Sequence, residues 1–223
     1  MARVLVVDDD RGLCQILRIG LGARGYDVAV ARSGAQGLAE AASRAPDVVV
    51  LDLGLDDLDG LEVCRRLRQW SSVPIIVLSA AGAEERKVAA LDGGADDFVT
   101  KPFGMAELEA RLRVALRHHP PREGAPSEVR VGPLTLDAAR YEARLDGVLL
   151  DLTAREFEFL AYLARHAGRI CTKQMILRDV WGPGYGDESN YLRVYAHRLR
   201  RKLAGSTVAL RTRPGIGYEL DAE

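Results

Sequence analysis

Five short apolar runs, each followed by an amphipathic stretch, fill the first half of the chain and leave few folds open to it. The runs are Arg3–Val7, Asp27–Ala31, Val48–Leu51, Ile75–Leu78 and Asp97–Val99. The stretches that follow them are Gly12–Arg24, Ala35–Arg44, Gly60–Trp70, Ala83–Gly93 and Met105–His118. Alternating strand and helix patterns imply a parallel sheet, because two parallel strands need a crossover long enough to hold a helix. VLVV, VVVL and IIVL are apolar throughout, as strands covered on both faces are. The expected first domain is a doubly wound α/β unit with five parallel strands over residues 1–118.

The pattern then changes. HHPPREGAPSE follows, rich in Pro, Gly and charge, and reads as a linker centred on residues 119–127. Over residues 128–223 the expectation is an α+β domain. Val129–Leu150 alternates apolar and polar residues with turn signals at Gly132-Pro133 and Asp146-Gly147, the mark of a small antiparallel sheet. Helical patterns cover Thr153–His166, Thr172–Trp181 and Asn190–Leu203, and Thr153 with Glu156 spells a capping box. VALRTRPGIGYEL reads as a terminal hairpin.

The chain carries 31 basic and 32 acidic residues, but they are unevenly placed. Residues 1–120 hold 15 basic and 18 acidic side chains, and the remainder 16 and 14. From Asn190 to Tyr218 there is no acid and there are seven Lys or Arg, which points to a polyanionic partner. No apolar run approaches the ~20 residues a membrane span needs. MARVLVVDDD lacks the apolar core of a signal peptide. The expected location is the cytoplasm, with no membrane partner. Cys14, Cys64 and Cys171 are scattered and odd in number, which argues against disulfides or a zinc site.

Parallel sheets of this kind bind ligands at the carboxyl ends of their strands, and the polar residues gather there. Asp8, Asp9 and Asp10 follow the first strand, Asp52 ends the third, Ser79 the fourth, and Lys101 follows the fifth. Three unpaired carboxylates at one edge would raise one another's pKa. A hard divalent cation resolves that repulsion, and Mg²⁺ prefers oxygen ligands shared with phosphate. A phosphoryl group arriving on Asp52 would be neutralised by the metal and by Lys101, with the Ser79 hydroxyl near a phosphoryl oxygen. The implied chemistry is phosphoryl transfer to a carboxylate, giving an acyl phosphate.

VLVVDDD, VVVLDLGL, IIVLSA and GADDFVTKPF resemble the receiver-domain motifs of bacterial two-component response regulators, over residues 1–118. The resemblance implies Asp52 as phosphoacceptor from a sensor histidine kinase. It implies Asp8, Asp9, Asp52 and the Gly54 carbonyl as Mg²⁺ ligands, Lys101 and Ser79 as phosphoryl partners, and Ser79 with Phe98 as the switch pair. It also implies a homodimer on activation through Lys87, Asp97, Glu107 and Arg111, paired as Lys87–Glu107 and Asp97–Arg111 across a two-fold axis; Asp92 and Arg117 lie on the same charged surface. The family usually has Pro before a small residue where this chain has Asp56-Asp57. Losing that ring loosens the loop, and its acids bear on metal affinity. Asp56, Asp57 and Asp59 are expected to be solvated or to cap the helix starting near Gly60.

In NYLRVYAHRLRRKL, helical periodicity sets Leu192, Ala196, Leu199 and Leu203 on one stripe and Asn190, Arg193, His197, Arg200 and Arg201 opposite. Such a helix suits the DNA major groove, with Val194 beside the basic face and able to touch a thymine methyl. The hairpin would bring Arg211 and Arg213 to phosphates or the minor groove. LTAREFEFLAYLARHAG, VWG, YLRVYAHRLRRKL and PGIGYEL resemble the winged-helix effector of the OmpR/PhoB class over residues 128–221. That implies promoter DNA with repeated half-sites and RNA polymerase as partners, and a transcription regulator rather than an enzyme. Pro214 stands where the class often has arginine, and AGSTVAL is short. KVAALDGGADDFVTKPFGMAELEARLRVALRHH resembles the regulators of potassium-transport operons. Two rival readings remain at this level: a regulator indifferent to phosphorylation, and a metal-dependent phosphatase built on the same acids.

Overall fold

The computed structural model describes residues 1–80, 84–116, 128–182, 185 and 189–222, with the backbone alone at Glu84, Ser189 and Asn190. The expected linker at 119–127, Arg117 and the side chain of Asn190 lie outside the described residues. The chain divides into two compact units, Met1–Arg117 and His118–Glu223.

The first unit is the expected doubly wound α/β sheet. Strands β1 (Arg3–Val7), β2 (Asp27–Ala31), β3 (Val48–Asp52), β4 (Ile75–Ala80) and β5 (Asp97–Lys101) alternate with helices α1 (Arg11–Gly22), α2 (Gly34–Arg44), α3 (Gly60–Arg68), α4 (Glu84–Asp92) and α5 (Met105–Ala115). All strand pairs are parallel, in the order β2-β1-β3-β4-β5. Every residue of β3 is buried, because helices cover both faces. Leu17 and Leu21 of α1 and Leu108 and Leu112 of α5 pack on Val4, Val6, Val48 and Val50.

Strand order reverses direction between β1 and β3, and the crevice that this opens lies at the carboxyl ends. Val7 is in register with Leu51, so Asp8 and Asp52 leave the two strands side by side. Three strands run one or two residues further than the apolar pattern predicts, to Asp52, Ala80 and Lys101. Backbone pairing does not depend on side-chain polarity, and the ladder continues through Asp52↔Leu78, Ser79↔Thr100 and Ala80↔Lys101. The polar groups therefore sit on rigid strand ends rather than in loops. At the opposite edge, Arg68 joins Asp96 at 2.5 Å and donates to the Gly94 and Val73 carbonyls, closing the ends of β4 and β5.

The second unit opens with an antiparallel sheet, β6 (Glu128–Val131), β7 (Leu134–Asp137), β8 (Glu142–Leu145) and β9 (Val148–Leu149). Helix α6 (Ala154–Arg165) begins with the expected Thr153/Glu156 capping box. A short β10 (Cys171–Thr172) leads into α7 (Lys173–Ile176), which continues as a π-helical turn over Leu177–Trp181. Helix α8 (Ser189–Lys202) and the hairpin of β11 (Val208–Arg213) and β12 (Gly217–Ala222) complete a winged-helix arrangement. Trp181 sits at the centre, edge-on to Phe159, Tyr191 and Tyr195. Glu156, 2% exposed, reaches from α6 to Lys202 at 2.6 Å and Arg198 at 3.6 Å on α8. No described helix is long and apolar enough to cross a membrane.

Gly60 opens α3 against the end of β3. A Cβ there would stand 2.3 Å from the Asp52 carbonyl oxygen and 2.6 Å from Leu53 Cα, and backbone atoms cannot step aside. Gly60→Ala is therefore expected to cost about 1–3 kcal/mol as overpacking does, read as a lower urea midpoint; an unchanged midpoint would show that α3 can shift freely.

Candidate functional site

The carboxyl edge brings together groups from three strands. One oxygen each from Asp8, Asp9 and Asp52 lies within 4.8 Å of the others. Asp8 is fully buried and Asp52 8% exposed; Asp9 is half-buried. Lys101 Nζ reaches Asp8 Oδ2 and Asp52 Oδ1, at 2.9 Å each. The Asp10 N–H donates to Asp8 Oδ1 at 2.9 Å, and the Gly54 N–H to Asp52 Oδ2 at 3.0 Å. Asp10 itself caps α1 through the N–H groups of Gly12 and Leu13.

Burial raises the pKa of Asp8, against the opposing pull of Lys101 and the Asp10 N–H. Burial also works against the Lys101 ammonium, yet its bonds to Asp8 and Asp52 outweigh this and raise its pKa. The two shifts are consistent. Lys101 is partly exposed and has two anionic partners, whereas Asp8 is enclosed and shares its one cation with Asp52. The cluster is thus short of positive charge, and its all-oxygen donor set suits a hard divalent cation.

Ser79 is 2% exposed, and among the described residues its hydroxyl makes a single 3.3 Å bond, to the Ala80 carbonyl. Phe98 is half-buried, with Lys87 Nζ 4.7 Å above its ring. Asp97 and Arg111, expected to pair between protomers, meet within one chain at 3.3 Å, and Arg111 also lies 3.6 Å from Glu107. Asp97 starts β5 and Arg111 lies on the adjoining α5, so the two also reach each other within one chain, where both are nearly buried.

The loop acids differ from one another. Asp59 caps α3 through the Leu61 N–H, as expected, and pairs with Arg86 at 2.9 Å. Asp57 is neither simply solvated nor a cap for α3. It accepts from the N–H groups of Gly34 and Ala35, at 2.7 and 3.0 Å, at the start of α2. Those bonds, Ala35's first, hold its pKa below the usual carboxylate range. Asp56 is exposed. Sequence reasoning missed Asp57's role and also Arg86, which donates to the Leu53 carbonyl at 3.0 Å. Neither carries a local signal, since each partner comes from a distant element.

On α8, Arg193, His197, Arg200 and Arg201 are exposed as expected. Val194 is 3% exposed and packs into the core, so it cannot meet a thymine methyl. The apolar face is wider than one stripe, taking in Tyr191 and Tyr195 as well. Arg198 turns inward over the Tyr195 ring. Arg200 braces α8 on the wing, donating to the Leu210 carbonyl and the Thr212 hydroxyl. Arg211 lies 3.5 Å from Asp221, and Arg213 pairs with Glu219 at 2.5 Å. These acids sit on β12 next to the arginines of β11.

A carboxyl whose folded pKa is raised favours folding below its ordinary range and loses that contribution as pH rises through the folded value. Asp8→Asn is therefore expected to raise the urea midpoint of the metal-free protein at neutral pH. The gain should vanish below about pH 4, and saturating Mg²⁺ should reverse the order. A lower midpoint for the variant in chelator at neutral pH would contradict this.

Residues 4–113 match the response regulator receiver domain family, and residues 147–220 the family "Transcriptional regulatory protein, C terminal". The chain is 45% identical to the KDP operon transcriptional regulatory protein KdpE of Escherichia coli, covering 98% of both chains. It is 41% identical to the transcriptional regulatory protein PrrA of Mycobacterium tuberculosis, covering 98% of this chain and 95% of that one. The crystal structure of the Thermotoga maritima OmpR/PhoB homologue DrrB aligns over 100% of both chains with a TM-score of 0.52 at 28% identity. The chain therefore belongs to the two-component response regulators of the OmpR/PhoB type, in which a receiver domain precedes a winged-helix DNA-binding domain.

Proposed function

We propose that this regulator is switched by phosphorylation of Asp52 and then binds repeated promoter half-sites as a homodimer. The observation that supports it best is Lys101 Nζ, 2.9 Å from both Asp8 and Asp52. That arrangement sets a cation beside Asp52, at a site where a phosphoryl group needs charge neutralised. Asp8, Asp9, Asp52 and the Gly54 carbonyl would hold Mg²⁺, which when bound offsets charge on the phosphoryl oxygens. An Asp52 oxygen bonds to phosphorus as the P–N bond of the kinase's phosphohistidine breaks, and the imidazole leaves. Lys101 then exchanges an Asp52 oxygen for a phosphoryl oxygen.

Ser79 has little to lose by turning, since its present hydroxyl bond is weak. In this reading it donates to a phosphoryl oxygen, Phe98 follows into the space, and Lys87 is released from the ring. Lys87, Asp97, Glu107 and Arg111 then form the dimer surface, with Asp97 and Arg111 exchanging partners across the axis. Residues 1–118 act as receiver, 119–127 as linker and 128–223 as effector, in the cytoplasm and with RNA polymerase as a further partner. The similarity to KdpE supports potassium-transport genes as the target. The protein's chemistry ends at its own acyl phosphate, and it turns over no external substrate.

For the effector, Arg193, His197 and Arg201 are the side chains we assign to DNA, with Asn190 at the start of α8. Arg200, Arg211 and Arg213 serve through their wing contacts or after leaving their partners.

Intact mass after incubation with Mg²⁺ and acetyl phosphate tests the switch. Wild type is expected to gain one phosphoryl group and shift to dimer, and Asp52→Asn to do neither. No gain in wild type, with DNA binding intact, would leave a phosphorylation-independent regulator. On duplex DNA, Arg193→Ala and Arg201→Ala are each expected to lower affinity and reduce the salt slope by about one. An unaltered slope in both would remove α8 from the interface.

A further inference from the structure

The loop between β3 and α3 carries Gly54, whose N–H holds Asp52 Oδ2 at 3.0 Å. Its two ends are tied down. Arg86 grips the Leu53 carbonyl, and Asp59 caps α3. Its middle, Leu55–Leu58, has no proline, so no ring restricts φ there.

Asp57 fixes that middle by another means. Its two carboxylate oxygens take the first two N–H groups of α2, from Gly34 and Ala35. Those donors have no partner within the helix, and a carboxylate is favoured at the positive end of the helix dipole. Charge-assisted bonds of this kind are about twice as strong as neutral ones. Ser33 meanwhile accepts from Gln36, so the two side chains share the helix end without competing. Helix α2 is itself a firm anchor, since a Cβ at Gly37 would stand 2.8 Å from the Val7 methyls. Val7 is the last residue of β1, next to Asp8 and Asp9. Asp57 therefore ties the loop that steadies Asp52 to the strand that delivers the other two carboxylates.

We propose that Asp57 is a positioning residue for divalent-cation binding, its grip on α2 holding Gly54 against Asp52 in a loop without proline. The proposal rests on reading Asp8, Asp9 and Asp52 as the cation site. Asp57 does not touch the cation; it acts through Gly54 and α2.

The test is Mn²⁺ binding to the full-length, unphosphorylated chain, read by electron paramagnetic resonance and competed with Mg²⁺. Asp57→Ala is expected to weaken binding by about tenfold, as loss of an outer-shell contact does. Asp56→Ala removes the same charge one residue away without removing a tether, and should stay within about twofold, the scale of a screened surface charge. Asp57→Asn keeps one oxygen acceptor and should fall between. Adding Asp56→Pro to Asp57→Ala should recover part of the affinity. Phosphorylation by acetyl phosphate should be slow in Asp57→Ala at limiting Mg²⁺ and return to the wild-type rate at saturation. Urea midpoints confirm that each variant is folded under assay conditions. Equal affinity in Asp57→Ala and wild type would overturn the proposal, as would an equal loss in Asp56→Ala, which would make the effect one of charge alone. Wild type that binds Mn²⁺ but accepts no phosphoryl group would sink the switch while leaving Asp57's role standing. Wild type that binds no cation would overturn both.

Discussion

Three carboxylates at one strand edge, two of them paired with Lys101, set the terms for the receiver unit. Burying Asp8 without compensation would cost several kcal/mol, so the sheet can deliver it to the β1/β3 crevice only because Lys101 arrives from β5. The apolar strands supply the stability that makes this affordable, and their ladders carry Asp52, Ser79 and Lys101 on rigid backbone. The site is correspondingly the part of the sheet with the most to gain from a further cation. Asp8 has one lysine contact, shared with Asp52, and its raised pKa records the shortfall. A cation and then a phosphoryl group would each change which oxygens Lys101 serves.

The winged-helix unit uses charge in the opposite way. Glu156 sits between Lys202 and Arg198, and Arg155 lies between Glu158 and the Val180 carbonyl. These buried pairs fix α8 against α6 and the π-helical turn, where an unpaired charge would be costly. Arg193, His197, Arg200 and Arg201 remain exposed on α8, and of these Arg200 is bound to the wing. Counting basic residues along the segment overstates the cationic face, because position on the helix, and not composition, decides which charges reach a polyanion.

The strands, the capping box at Thr153 and the cap at Asp59 were legible because each is written in neighbouring residues: an apolar run, a Thr three residues before a Glu, an acid ahead of a helical pattern. The acidic cluster was legible from the strand order that alternation implies. What escaped needed two elements at once. Asp57 looks like any loop acid until α2 is brought beside it. The wing arginines looked unopposed because the acid-free window closed at Tyr218, one residue before Glu219, which lies directly across the hairpin from Arg211. Val194 was misplaced because the buried face of α8 is wider than a single stripe, with aromatic residues on either side. That Asp97 and Arg111 also meet within one chain escaped for the same reason, since β5 and α5 adjoin only in the fold.

The first turn of α4 touches both the site loop and the β5 surface. Arg86 holds the Leu53 carbonyl and Asp59, on the loop that follows Asp52, while its neighbour Lys87 lies over Phe98. A half-exposed ion pair such as Arg86–Asp59 contributes under about 1 kcal/mol, and an exposed cation–π contact about 0.5–1 kcal/mol. Holding α4 in its present place by such contacts therefore needs only a small differential affinity to undo. A ligand shifts a two-state equilibrium only by the difference in its binding to the two states, and one new charge-assisted bond from Ser79 to a phosphoryl oxygen is of that size. In the proposed switch, contacts of this strength would let the first turn of α4 respond to chemistry at Asp52, whereas a buried network like that around Glu156 would hold it fast.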